Sequence, residues 1–180
     1  MTRFLMAAIL KRVMEATPAL AQDSRVGFYD GRAIANWAYS PEGSEITGLP
    51  TWYSTSGDTL TDGANCNIGI GDLEASRAEV DAYFASMTPQ IYTNQLRANG
   101  TDVRGAYLTE VFEMSGRPVM RNLFTATAND TMFDSMTLAI GGRDHLLTIT
   151  CSVSAGRLLD RLQDFYAFGD QMIITIVPPQ

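Results

Sequence analysis

Between residues 103 and 153, four runs of alternating apolar and polar residues follow one another, each long enough for a strand. The breaks between them are pairs of turn residues: Ser115-Gly116, Asn129-Asp130 and Gly141-Gly142. Runs of this length joined by two-residue turns pair with their immediate neighbours, since a tight turn leaves the chain no room to go elsewhere. The pattern predicts an antiparallel meander with strands over 103–114, 118–128, 132–140 and 145–153. Side chains of a strand alternate between its faces, so the alternation predicts one face packed under helices and one partly polar face.

The flanks predict the cover. Ser76-Arg77-Ala78-Glu79 is a capping box ahead of Val80, Tyr83, Phe84 and Met87 at helical spacing. Pro89 kinks or restarts this helix, Ile91, Tyr92 and Leu96 continue the stripe, and Gly100 stops it. After the meander, residues 157–168 read as a second helix, with Leu158, Leu159, Leu162, Phe165 and Tyr166 inward and Gly169 as its end. The β-branched run 172–177 before Pro178-Pro179 reads as a final strand, parallel to the fourth through a right-handed crossover. Residues 64–70 form a first strand with Cys66, Ile68 and Ile70 on one face. The fold class expected is α+β, a mainly antiparallel sheet covered by helices. Residues 64–180 form one domain and residues 22–63 a loop-rich segment with short extended pieces at 33–39 and 49–54.

This order of strand, helix, meander, helix and strand over residues 64–177 resembles the PsbP-like α/β/α sandwich superfamily. Its most similar local piece is the strand Leu146-Leu147-Thr148-Ile149-Thr150-Cys151-Ser152-Val153 followed by Leu158-Leu159-Asp160-Arg161-Leu162-Gln163-Asp164-Phe165. The resemblance implies an accessory, binding or assembly role without catalysis, and assigns no binding residue.

Charge narrows the function classes. Twenty acidic against 13 basic residues give a net charge of −7 in 180 residues, which argues against a nucleic-acid partner, whose phosphates need a cationic face. No apolar run reaches the roughly 18–20 residues that cross a bilayer as a helix. Residues 1–21 read as a secretory leader: Arg3, the apolar stretch from Phe4 to Leu10, and Ala19-Leu20-Ala21 before Gln22. Lys11, Arg12 and Glu15 interrupt the apolar stretch. The alternative is a retained amphipathic helix with Leu5, Ile9 and Val13 on one stripe. Cleavage would make the protein periplasmic or secreted, and retention would leave it cytoplasmic. Lys11 is the single lysine among 13 cationic residues, a usage typical of GC-rich bacterial genes.

Cys66 and Cys151 are the two cysteines, each in phase with the inward residues of its strand. They form either a disulfide, worth about 4–5 kcal/mol for a loop this long, or two separate buried thiols. Trp37 and Trp52 anchor the loop-rich segment onto the core or else stack on a ligand or partner. Asp58, Asp62, Asp72 and Glu74 could form an oxygen-ligand metal site, although Leu60 and Gly69 break the EF-hand pattern. Gly69-Ile70-Gly71 lacks the third glycine of a dinucleotide loop. His145 is the only histidine, so a small hydrolase would have to use it together with carboxylates. No Gly-x-Ser-x-Gly elbow accompanies it, and Glu110 and Glu113 fall on opposite strand faces. The function expected is an exported, non-catalytic binding or accessory protein that uses no cofactor and meets a protein or small-molecule partner. A hydrolase and an intracellular interaction protein are the alternatives.

Overall fold

A computed structural model describes residues 34–56, 62–73, 75–142 and 145–176. Seven strands form one antiparallel sheet: β1 (Trp37–Tyr39), β2 (Thr51–Ser54), β3 (Asn65–Asp72), β4 (Asp102–Met114), β5 (Arg117–Ala128), β6 (Thr131–Gly141) and β7 (His145–Ser154). Their order in space is β1-β2-β3-β7-β6-β5-β4. Among the described residues four helices accompany them: α1 (Pro41–Thr47) between β1 and β2, α2 (Arg77–Ser86) and α3 (Pro89–Ala98) after β3, and α4 (Leu158–Ile176) after β7.

The meander β4–β7 follows the predicted strands to within one residue at each end. Its first two turns have positive φ at both central positions, Ser115 (50°) with Gly116 (71°) and Asn129 (49°) with Asp130 (60°). That backbone matches the strand twist and holds the hairpins tight. The expected capping box is present: Ser76 accepts from the Glu79 N–H, and Glu79 returns to the Ser76 backbone. Pro89 restarts the helix as α3, with Thr88 accepting from the Ile91 N–H.

Both sheet faces carry helices. On one, α4 lays Leu158, Phe165, Phe168, Met172 and Ile173 over Ile68, Leu138, Leu147 and Ile149. On the other, Val80, Tyr83 and Phe84 of α2 and Tyr92 and Leu96 of α3 meet Met120, Phe124, Ala139 and Leu146. The architecture is an α/β/α sandwich. Residues 37–54, read as part of a loop-rich segment, supply β1, α1 and β2 to this same sheet: Thr51 pairs with Asn67 and Trp52 with Cys66.

Two expectations for the C-terminal region are corrected. Residues 172–176 are helical and the sheet has no parallel strand among the described residues. Gly169 is an interior residue of α4 whose lack of a side chain lets the helix approach the sheet; a Cβ there would lie 2.6 Å from Leu138 Cδ1. Phe165, Phe168, Met172 and Ile173 fall on one helical stripe and are all at most 1% exposed. Packing on that stripe outweighs the strand preference of the Ile-rich run. Leu159, expected inward, is 81% exposed, because it lies about 100° around the helix from the buried Leu158.

A buried ion pair ties α4 to the segment ahead of β3. Arg161 Nε donates to Asp62 Oδ2 at 2.6 Å, and its Nη1 donates to Asp164 Oδ2 at 2.9 Å. Burial works against the Asp62 carboxylate. The Arg161 hydrogen bond, the Ala64 N–H and the charges of Arg161 and Arg157 outweigh it and hold the pKa below the ordinary 3.8. A carboxylate depressed in the folded state contributes stability above its unfolded pKa and loses it as the pH falls through the folded value. We therefore expect Asp62→Asn to cost about 3 kcal/mol at neutral pH and to flatten the loss of stability below about pH 4. Urea unfolding of both proteins between pH 7 and 2.5 checks this. Parallel pH curves would contradict the assignment.

Candidate ligand cleft

Register makes the site. Residues directly opposite one another in an antiparallel pair share a face, and here one row of polar residues runs across six strands. Thr51 on β2 faces Asn67 on β3, which faces Thr150 on β7, then Thr137 on β6, Asn122 on β5 and Thr109 on β4. A neighbouring row holds Ser152 opposite Ser135. Rungs of a sheet lie about 4.8 Å apart, so Asn67 and Asn122, three strands apart, stand about 14 Å from each other.

The row partly satisfies itself. Thr109 Oγ1 donates to Asn122 Oδ1 at 2.9 Å, the Thr137 and Thr150 hydroxyls share a hydrogen bond at 3.2 Å, and those of Ser135 and Ser152 share one at 2.8 Å. Thr148 Oγ1 donates to the Gly69 carbonyl at 3.2 Å. A side chain at position 69 would meet that hydroxyl, since a Cβ would lie 2.7 Å from it.

Helices α2 and α3 do not close this face completely. Between them and the polar row lies a cleft of about 410 Å³, within the range of small-molecule sites. Its sheet wall carries Asn67, Asn122, Ser135, Thr137, Thr150 and Ser152, and its opposite wall Tyr83, Phe84, Tyr92 and Leu96. Along the row Asn67, Thr150 and the outermost Thr109 are half-buried, whereas Thr51, Thr137 and Asn122 are buried. Tyr92 and Phe124 stand edge to face, ring centroids 5.8 Å apart.

The cleft is electrically neutral. Among the described residues that line it there is no Asp, Glu, Lys, Arg, His or Cys. Burial pushes the Tyr92 phenol up to about 12, against a hydrogen bond with Thr137 that lowers it. Burial likewise raises Tyr83 above the ordinary tyrosine range, against a weaker lowering by its bond to Gln95. Both phenols stay protonated at physiological pH. The arrangement can hydrogen-bond a ligand's edge and cover its apolar face, but it offers no group that takes up or releases a proton near neutral pH.

The residues singled out from the sequence lie elsewhere. Cys66 and Cys151 are joined by a disulfide, S–S 2.02 Å, between directly opposed residues of β3 and β7. Both are fully buried on the α4 face. Trp37 and Trp52 are core residues at 6% and 0% exposure, packed on Phe168 with ring centroids 5.0 and 5.6 Å away. Both rings belong to the core on the α4 face. Of the carboxylates proposed for a metal, two are described: Asp62 is engaged by Arg161 ahead of β3, and Asp72 is the last residue of that strand. Asp58 and Glu74 lie outside the described residues, as do residues 1–21 and Asp144 beside His145. His145 pairs in register with Asp72 at the sheet's end and does not line the cleft. Glu110 pairs with Arg121 across β4 and β5, on the strand face opposite to that of Glu113.

Sequence reasoning found the polar face but none of its members. The signal was there: Thr148, Thr150 and Ser152 alternate with Leu147, Ile149 and Cys151. What linear sequence does not display is that Asn67, Asn122 and Thr137 fall on the same rung.

No family model matches the chain, and no curated protein matches it. Solved structures of similar fold include LpqN of Mycobacterium tuberculosis, described as involved in cell envelope biogenesis. It is 13% identical, with a TM-score of 0.47 over 78% of each chain. A second is PsbP (CyanoP) of the cyanobacterium Synechocystis sp. PCC 6803, 11% identical, with a TM-score of 0.45 over 72% of this chain and 76% of that one. A third is PA94 of Pseudomonas aeruginosa, a protein of unknown function, 11% identical, with a TM-score of 0.45 over 64% of this chain and 74% of that one.

Proposed function

We propose that this protein is a non-catalytic binding protein that holds a small uncharged ligand in the cleft between the polar row and helices α2 and α3, and that it works outside the cytoplasm. The observation that carries the binding role is the neutral lining of the cleft. A 410 Å³ space with hydroxyl and amide groups on one wall and aromatic rings on the other suits an amphipathic molecule. An ionised ligand would be desolvated there without a counter-charge. The hydrolase alternative draws no support from this geometry, because neither His145 nor any carboxylate among the described residues borders the cleft.

The extracytoplasmic location rests on the Cys66–Cys151 bond, since disulfides persist in oxidising compartments, and on the leader-like residues 1–21. Its partner in an accessory role would then be a molecule of the periplasm, cell surface or medium.

Thermal unfolding in the presence of neutral and charged amphipathic compounds tests the binding role. Neutral ligands at about 100 times their Kd are expected to add about 2.7 kcal/mol, a rise in Tm of roughly 5 °C or more for a chain this size. Thr150→Trp, which fills the half-buried middle of the cleft, is expected to abolish the rise while the protein still unfolds cooperatively. An undiminished rise in that variant would refute the cleft as the site, and a preference for charged compounds would refute its choice of an uncharged ligand. Intact mass of the protein from its native host tests the location. A chain beginning at Gln22 with both cysteines protected from alkylation is expected, and a full-length chain with two alkylated thiols would refute export.

A further inference from the structure

We infer that the cleft selects a neutral molecule with an apolar ring system and a carbonyl oxygen, and that Asn122 is the residue that fixes that oxygen. The inference rests on the cleft being a ligand site, as argued above, and adds the ligand's chemical class and its polar anchor.

Asn122 sits on β5, next to the last member of the row and beside Phe124, with 0% exposure. Its Oδ1 is occupied by the Thr109 hydroxyl at 2.9 Å, whereas its Nδ2 has no hydrogen-bond partner. A desolvated donor without an acceptor is among the costlier defects a fold can carry, and nearly all buried polar groups are paired. The facing residue on β6 does not relieve it: the Thr137 hydroxyl bonds that of Thr150, and no acceptor reaches Nδ2. Asn122 also borders the cleft. An acceptor brought in by a ligand there therefore completes the amide.

Three kinds of oxygen could serve, and the surroundings choose among them. A carboxylate would accept, but its charge would sit against Phe124 and the protonated Tyr92 with no cation lining the cleft. A hydroxyl brings a donor of its own into the same aromatic corner. A carbonyl accepts without donating, and its apolar body lies against the ring wall of Tyr83, Phe84 and Tyr92.

The neutral naphthyl ketone Prodan combines these features and reports its surroundings by its emission, so it serves as the probe with the full chain. Blue-shifted, saturable emission is expected with the unsubstituted protein. Asn122→Leu is expected to weaken binding about tenfold, the worth of one buried hydrogen bond. An analogue of the dye with the ketone reduced to methylene needs no protein variant. It should lose the same tenfold on the unsubstituted protein and bind Asn122→Leu as well as Prodan does. An anionic naphthalene sulfonate should not displace Prodan.

Equal affinity of the unsubstituted protein for the ketone and methylene dyes would overturn the role of Asn122. Displacement by the sulfonate at comparable concentration would overturn selection for a neutral ligand. In both cases, binding that Thr150→Trp still blocks leaves the cleft as the site. No saturable Prodan binding, or binding that Thr150→Trp does not affect, would overturn the cleft itself and this inference with it.

Discussion

Everything distinctive about this molecule depends on the register of β3 against β7. The two strands pair from Asn65 opposite Ser152 to Asp72 opposite His145, and within that ladder Cys66 faces Cys151 while Asn67 faces Thr150. One pair points to the α4 face and closes a covalent bond. The next points to the opposite face and forms the centre of the polar row. Because side chains alternate with a period of two, a slip of one residue would exchange these roles. Asn67 would enter an apolar core, and Cys66 would enter the cleft. The disulfide fixes the register that places the polar row, so a bond on one face specifies the chemistry of the other.

The two faces also differ in how they are covered. Helix α4 lies close to the sheet, aided by the missing side chain at Gly169, and its core is filled by large apolar residues with Trp37 and Trp52 against Phe168. On the other face, α2 and α3 seal the side near β4 and β5 but leave the middle of the sheet open to the cleft. Hydroxyl and amide groups tolerate that opening because many already pair across strands, Thr137 with Thr150 and Ser135 with Ser152. A well-packed layer supports a loosely covered one, an economical way to hold an open cavity on a stable sheet.

Much of this was legible in the sequence for local reasons. The meander was set by turn residues whose backbone preferences are strong, and α2 by a capping box acting over one turn. The inward phase of Cys66 and Cys151 followed from their neighbours, and the register then supplied the bond. The C-terminal run misled because strand propensity is a weak preference, whereas the stripe Phe165, Phe168, Met172 and Ile173 is decided by contact with β6 and β7. Gly169 was misread for a related reason. A glycine that ends a helix and one that lets a helix approach a sheet look the same in one dimension. Carboxylates drew attention as metal ligands through their spacing alone, but Asp62 answers to Arg161, 99 residues away. The site itself escaped because Thr, Ser and Asn on one rung come from strands far apart in the chain, each unremarkable by itself.

The most direct test of the account is a nitrogen-15 NMR spectrum of the full chain, titrated with the neutral ketone dye. The account predicts that the Asn122 side-chain amide moves furthest, with the amides of Thr137, Thr150 and Asn67 moving less. Amides on α4 and around Trp37 should stay in place. Shifts gathered on α4 or along the outer edge of β4, with Asn122 unmoved, would contradict the claim that the polar row is a binding surface.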